Sequence, residues 1–493
     1  MTNARGVSLF RCAANMLENR MLGRLPFARA LQRLNIAGAI AVFMAAAVAD
    51  PGCSSALATQ VVAASPVPAP RLPQSLAGHG GPVRSAAISA DGRSALTASF
   101  DYTAILWSLD GEAGREVLRL EGHDAAVNDA AFVPGAGRAV TASDDGSVAV
   151  WDLADGRMLA RFAGPGDKVL AVDVSPDGLY AASAGWDRRV RLYDLATLSE
   201  VAAFEGHRGN VNDVAFSPDG KTLYSASYDG TIQSWDVAKR QPIRPVYSHG
   251  WGINVLRALP DGKTLLFGSL DGEAGVIDIE MGEVVVDLAV HNRPILSAAV
   301  SASGEAVLVG GGDGVVRLYR TADWVLLHTF ENPNGPIWGA ALMPDASAAL
   351  LAGLDDAAFA WQLNPRKAFE PPLGQFPRRF QVSADADRGE RQFARKCSVC
   401  HTLTQDGANR AGPSLFGVFG RHAGTLQGYV YSDALKNSNI VWNEETIARL
   451  FDDGPDVVTP GSKMPVQRIK TVEDRDALIA FLKRATVADA SRQ

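Results

Sequence analysis

A chain of 493 residues has room for about three domains at ~150 residues each. Hydrophobic residues make up 47% and charged residues 20%, a balance that argues against a disordered chain and against a multi-span membrane protein. The net charge of −7 disfavours nucleic-acid binding through a basic surface, and four cysteines (Cys12, Cys53, Cys397, Cys400) are too few for a disulfide scaffold.

The first 35 residues carry Arg5, Arg11, Arg20, Arg24, Arg29 and Arg33 against one acid, Glu18, and the 14 residues from Ile36 to Ala49 carry no charge. As a helix that run would cover ~21 Å, short of the ~30 Å hydrocarbon core. Small residues follow at Ala47-Val48-Ala49 and Ala56-Leu57-Ala58. The order describes a secretory signal peptide over 1–58 and a periplasmic destination, with an uncleaved membrane anchor as the alternative. Cleavage after Ala58 leaves no transmembrane segment. Met21 heads a more usual signal length. Residues 59–71, with Pro66, Pro68 and Pro70, read as an extended linker.

From there the sequence keeps time. Trp107, Trp151, Tyr193, Trp235, Ile277, Tyr319 and Trp361 close similar segments, first 44 and then always 42 residues apart. Six residues before each stands an aspartate: Asp101, Asp145, Asp187, Asp229, Asp271, Asp313 and Asp355. His79, His123, His207, His249 and His291 keep the same period, with Pro165 and Pro333 at the missing beats. Within a unit, residues 211–220 alternate apolar and polar and end in Pro-Asp-Gly, a strand and a tight turn; two further strands flank Tyr228-Asp229-Gly230. Four strands per unit, seven times, with Gly206-His207 and Trp235-Asp236, resemble a WD-repeat β-propeller over 72–363. Leu72 to Leu76 is expected to supply the strand that the seventh blade lacks, closing the ring.

The resemblance implies a His–Ser/Thr–Asp–Trp network in each complete blade, here His79/Ser99/Asp101/Trp107, His123/Ser143/Asp145/Trp151 and His207/Ser227/Asp229/Trp235. It also implies that residues just before the blade aspartates face partners. Phe100, Trp186 and Tyr228 are the partner-binding candidates, with inter-blade packing as the alternative.

After Trp361 the beat stops. Residues 364–382, with Pro365, Pro371, Pro372 and Pro377, read as a second linker. Cys397-Ser398-Val399-Cys400-His401 is a C-x-x-C-H motif, whose two thiols can each add to a haem vinyl group while the adjacent histidine meets the iron. A zinc site would need further ligands, and a chain cleaved after Ala58 has no other cysteine. Residues 383–486 resemble small class I cytochromes c of the mitochondrial and c2 type, in GPSLFGVFGRHAG (412–424), GYVYSDALKNSNIVW (428–442) and PGSKMP (460–465). The expected fold class is therefore multidomain: an all-β propeller, a small all-α cytochrome c domain and a tail over 487–493. The resemblance implies one covalent heme c, with His401 and Met464 as the iron's metal ligands. Pro413 would accept a hydrogen bond from His401; Arg421, Tyr429, Tyr431, Trp442 and Ser462 would surround the propionates. Gly389 and Phe393 would cross Leu478 and Phe481. No catalytic residue is expected, because His/Met ligation fills the iron.

Besides a ring that only shields or orients its attached cytochrome, two functions remain open. In one, the propeller is a docking module on a one-electron carrier, its partner a cytochrome, an oxidase or a dehydrogenase subunit. In the other, the propeller holds a substrate or second cofactor of a redox enzyme. Eight histidines, five in blade networks and one at the motif, leave only His328 and His422 for a further metal. Charge is uneven: residues 59–375 carry −14 and residues 376–493 carry +3. An acidic ring favours a basic partner, or an approach by its own haem domain.

Overall fold

The computed structural model describes residues 73–486 apart from 112–113, 165–166, 333, 368–384, 399, 406–411, 430, 432, 460–461, 463, 465–468 and 470. The expected signal peptide, first linker and tail lie outside the described residues, as does most of 364–382.

Each 42-residue unit folds as its alternation dictates. In blade 4, Val211–Phe216, Thr222–Ser227, Thr231–Asp236 and Gln241–Ser248 pair antiparallel in sequence order. The first turn is closed at Asp219, whose carboxylate accepts from Ser217 Oγ and Lys221 N, with Gly220 at a φ of +70° that favours glycine. Seven such four-stranded sheets form from the described residues. One apolar cluster lies between each pair of neighbours; that between blades 7 and 1 gathers Leu76, Val83, Ile105, Trp107, Met343 and Leu350. Burial is thus shared around the ring and no blade closes its core alone.

Closure follows the expectation from sequence. Ser75–Ala77 pairs antiparallel with Ala357–Gln362, Ser75 opposite Phe359, and becomes the fourth strand of blade 7. Polar staples join the inner ends of blades. Asn128, Asn212 and Asn254 each donate through Nδ2 to the next blade, to Val169 O, Ile253 O and Ile295 O at 2.8, 2.9 and 2.8 Å. Asp129, Asp173 and Asp213 accept from Val172 N, Phe216 N and Leu256 N of the following blades.

The histidine networks form, with a correction to one member. His79 meets Asp101 Oδ2 through Nδ1 at 3.0 Å and Thr97 Oγ1 through Nε2 at 2.7 Å, and Trp107 Nε1 donates to that same Thr97 hydroxyl. Thr141 and Ser225 do this in blades 2 and 4. Ser99, Ser143 and Ser227 are not the shared partners. Two residues later on the same strand face, Ser99 sits at the turn and is used there, donating to Gly81 O and accepting from Asp101 N. Blade 5 departs further, with Phe267 at the hydroxyl position and Ile277 at the Trp position. His249 Nε2 instead approaches Asp271 Oδ1 and Glu273 Oε2 at 3.4 and 3.6 Å.

The C-terminal region is helical: α1 (Arg388–Lys396), the single turn α2 (Asp433–Lys436), α3 (Glu444–Asp452), the single turn α4 (Pro455–Val458) and α5 (Val472–Ala485). Capping fixes where the longer ones start. Asp387 accepts from Glu390 N, Thr471 accepts from Asp474 N, and Asn443 and Thr446 form a reciprocal capping box. Helices α1 and α5 cross at Gly389, whose missing side chain admits Ala477 O, and Phe393 lies 5.5 Å from Phe481 between ring centres. That is the expected crossing. Buried Phe393, Ile447, Phe451, Leu478 and Leu482 form a separate core.

Candidate functional site

Helix α1 ends at Cys397, its C-cap, where the C-x-x-C-H motif begins. Cys397 N donates to Phe393 O at 2.8 Å; Cys400 N and His401 N then donate to Cys397 O at 3.1 and 2.9 Å. Positions three and four apart on a helical turn share a face. Both thiols and the imidazole therefore address one cleft.

His401 is oriented by its backbone partner. Its Nδ1 lies 2.7 Å from Pro413 O. A carbonyl can only accept, so Nδ1 carries the proton and Nε2 keeps its lone pair. Burial lowers the His401 pKa, opposed by the Pro413 contact, and this favours the neutral ring that a metal requires. Gly412 makes the approach possible: a Cβ there would fall 2.4 Å from the His401 ring. Gly412 opens the 412–424 segment without a role implied by its motif; its signal in the sequence is a glycine directly before the His-orienting proline.

Every residue expected at this site lines the same cleft: Cys397, Cys400, His401, Pro413, Arg421, Tyr429, Tyr431, Trp442, Ser462 and Met464. Its apolar wall comes from Leu415, Val418, Ile447, Leu450, Phe451 and Leu482. Arg421 is held by donating to Ser414 O and Phe416 O at 2.7 and 3.1 Å. Trp442 is fixed through its backbone, donating to Arg421 O and accepting from Gly420 N. Tyr429 and Tyr431 stand edge to face at 4.8 Å. Burial lowers the pKa of Arg421, raises those of both tyrosines, and with Cys400 beside it pushes the Cys397 thiol up to about 12. This is a mostly apolar pocket with polar groups at selected points.

The donors fit a haem. Two thiols one turn apart can take covalent attachment, an imidazole is committed at Nδ1 only, and a thioether lines the same cleft. Bound there, a haem supplies a reversible one-electron change at iron. The chain's own part is to orient His401, to exclude water with the apolar wall, and to place Arg421 and the tyrosines. One further lining residue, Tyr102, comes from the propeller.

The propeller candidates separate. Trp186 and Tyr228 are 40% and 63% exposed, while Phe100 is half-buried with its ring 5.5 Å from Trp338 of blade 7. Inter-blade packing therefore claims Phe100. Trp251, 63% exposed, belongs to the loop against the Tyr228–Gly230 turn, and it falls outside the periodic positions. The central channel is lined by Arg84, Asp129, Asp173, Asp213 and Arg257; Arg257 donates to Asp213 Oδ2 at 2.7 Å.

Two families match the chain. The one described as "WD domain, G-beta repeat" matches residues 70–108, 114–152, 156–194, 198–236 and 282–320, and the one described as "Cytochrome c" matches 386–486. Among similar proteins, a cytochrome c of Gibberella zeae is 40% identical over 105 residues, 21% of this chain and 98% of that protein. A cytochrome c of Euglena viridis is 43% identical over 99 residues, 20% of this chain and 95% of that protein. A cytochrome c2 of Blastochloris viridis is 42% identical over 112 residues, 23% of this chain and 86% of that protein.

Proposed function

Because the chain belongs to the cytochrome c family through its C-terminal domain and carries a WD-repeat propeller before it, we propose that it is a single-electron carrier whose ring docks a redox partner. Electron transfer through a covalently bound haem follows from the family. The ligand pair, the docking role and the location are our reading. The observation that carries it is the cleft itself, where His401, with only Nε2 free to coordinate, and Met464 line one apolar pocket beside both thiols. His401 and Met464 would hold the iron, and a haem so held would supply one-electron exchange rather than an open site for substrate.

Docking is supported by the exposed aromatics Trp186 and Tyr228 on adjacent blades and by the −14 charge of residues 59–375, which favours a basic redox protein. Secretion to the periplasm is supported by the arginine-rich start and the uncharged run that follows. Among the described residues, no helix is long and apolar enough to cross a membrane.

Replacing Met464 with Ala is expected to change the haem spectrum and lower the midpoint potential, since a methionine ligand raises it. An unchanged spectrum and potential in Met464→Ala would remove the assignment. Replacing Trp186 and Tyr228 together with Ser should abolish binding of a basic cytochrome in a direct titration while leaving the haem spectrum intact; undiminished affinity would count against the docking face.

A further inference from the structure

Tyr102 stands at the tip of the blade 1 hairpin between Ser94–Ser99 and Thr103–Ser108. The matching position is Gly146, Gly230, Gly272 and Gly314 in four other blades, all with positive φ, and Arg188 in blade 3. Tyr102 holds a φ of +73°, a left-handed backbone that favours glycine. A bulky residue kept in that conformation is the kind of strain that collects at functional positions. Its ring is half-buried, and among the described residues lining the haem cleft it alone comes from the propeller. Burial raises its pKa, and Cys400 and Tyr429 of the cytochrome domain act on the phenol next most strongly.

We propose that blade 1 is the docking site for the chain's own cytochrome domain, with the Tyr102 ring closing part of the haem cleft. Three features support this: the shared cleft, the strained turn that presents the ring, and the opposite charges of the −14 and +3 segments. Docking there leaves Trp186 and Tyr228 exposed, so one ring carries an internal and an external face. The internal contact stands whether or not those aromatics take a partner. Its consequence is control of access: outside redox agents reach the iron only through the part of the cleft rim that Tyr102 leaves uncovered.

The test uses the full haem-loaded chain with Tyr102 replaced by the photo-crosslinker p-benzoylphenylalanine. Irradiation should link position 102 to peptides of the same chain between Cys397 and Tyr431. Links confined to propeller peptides, links to a second chain, or none would overturn the docking. Independently, Tyr102→Gly suits the turn and removes the ring. It should keep the haem spectrum, lower the midpoint potential as water gains access, and give a several-fold rise in the rate of oxidation by ferricyanide. Arg188→Gly, at the same turn position in blade 3, should match the parent in both. A Tyr102→Gly protein with the parent's potential and rate would overturn the closing role of the ring.

Discussion

The crossing of α1 and α5 gives the sharpest quantitative expectation. A Cβ at Gly389 would sit 2.0 Å from Ala477 O, 2.7 Å from Ala477 C and 2.8 Å from Phe481 Cβ. Two of the three are backbone atoms, which no side-chain rotation can clear. The helices of Gly389→Ala must therefore separate by roughly 1 Å or more to restore ordinary contact distances. Overpacking of this kind costs about 1–3 kcal/mol, and parting Phe393 from Phe481 forfeits about 0.5–1.5 kcal/mol more. Alanine recovers about 1 kcal/mol of helix propensity. The net loss is about 2 kcal/mol. With a guanidinium slope of about 3 kcal/mol per molar, the unfolding midpoint should fall by roughly 0.7 M. The assay is guanidinium unfolding of the haem-loaded chain followed in the Soret band, which reports the haem domain separately from the ring. Arg391→Ala, at an exposed position on the same helix, should move the midpoint little. A midpoint for Gly389→Ala equal to or above the parent's would refute the argument that close backbone approach requires glycine there.

Two further outcomes concern the ring. Leu76 is fully buried between blades 7 and 1, so Leu76→Ala should destabilise the propeller by about 2–5 kcal/mol, read as a lower melting temperature of the β-sheet signal. Burial in the channel wall pushes the Asp173 carboxyl up to about 6, above the ~3.9 of an unfolded chain. The folded state then holds the proton more tightly, so this contribution is fully present below about pH 4 and is lost as the pH rises through about 6. Between about pH 4.5 and about pH 7 the parent should lose stability relative to Asp173→Asn, measured by melting temperature at each pH; parallel curves would show that Asp173 is not the source.

Much of this protein was legible because its signals are local or strictly periodic. The aspartates that set the beat and the C-x-x-C-H motif mark positions by spacing, the Pro413 and Met464 segments by family resemblance, and the structure gathers the C-terminal ones into one cleft. Errors arose where two neighbouring candidates share a strand face. Thr97 and Ser99 lie two residues apart on one strand face, yet Thr97 takes the His79 contact while Ser99 bonds Gly81 O at the turn. Phe100 and Tyr228 occupy the same repeat position, yet Trp338 of blade 7 packs against Phe100 while Tyr228 stays 63% exposed. In blade 5, with Phe267 at the hydroxyl position, His249 keeps its blade aspartate Asp271 but reaches it through Nε2 and gains Glu273, a change that the period alone conceals.

The sequence by itself determined the number of blades, the place of the C-x-x-C-H motif and the need for a borrowed closing strand, because covalent spacing and alternation act over a few residues. Only the tertiary structure decided which hydroxyl serves each network, which aromatics stay exposed, and that Tyr102 lies against the haem cleft. Those outcomes depend on surfaces brought together from segments hundreds of residues apart, and the packing of such surfaces is written in no local pattern.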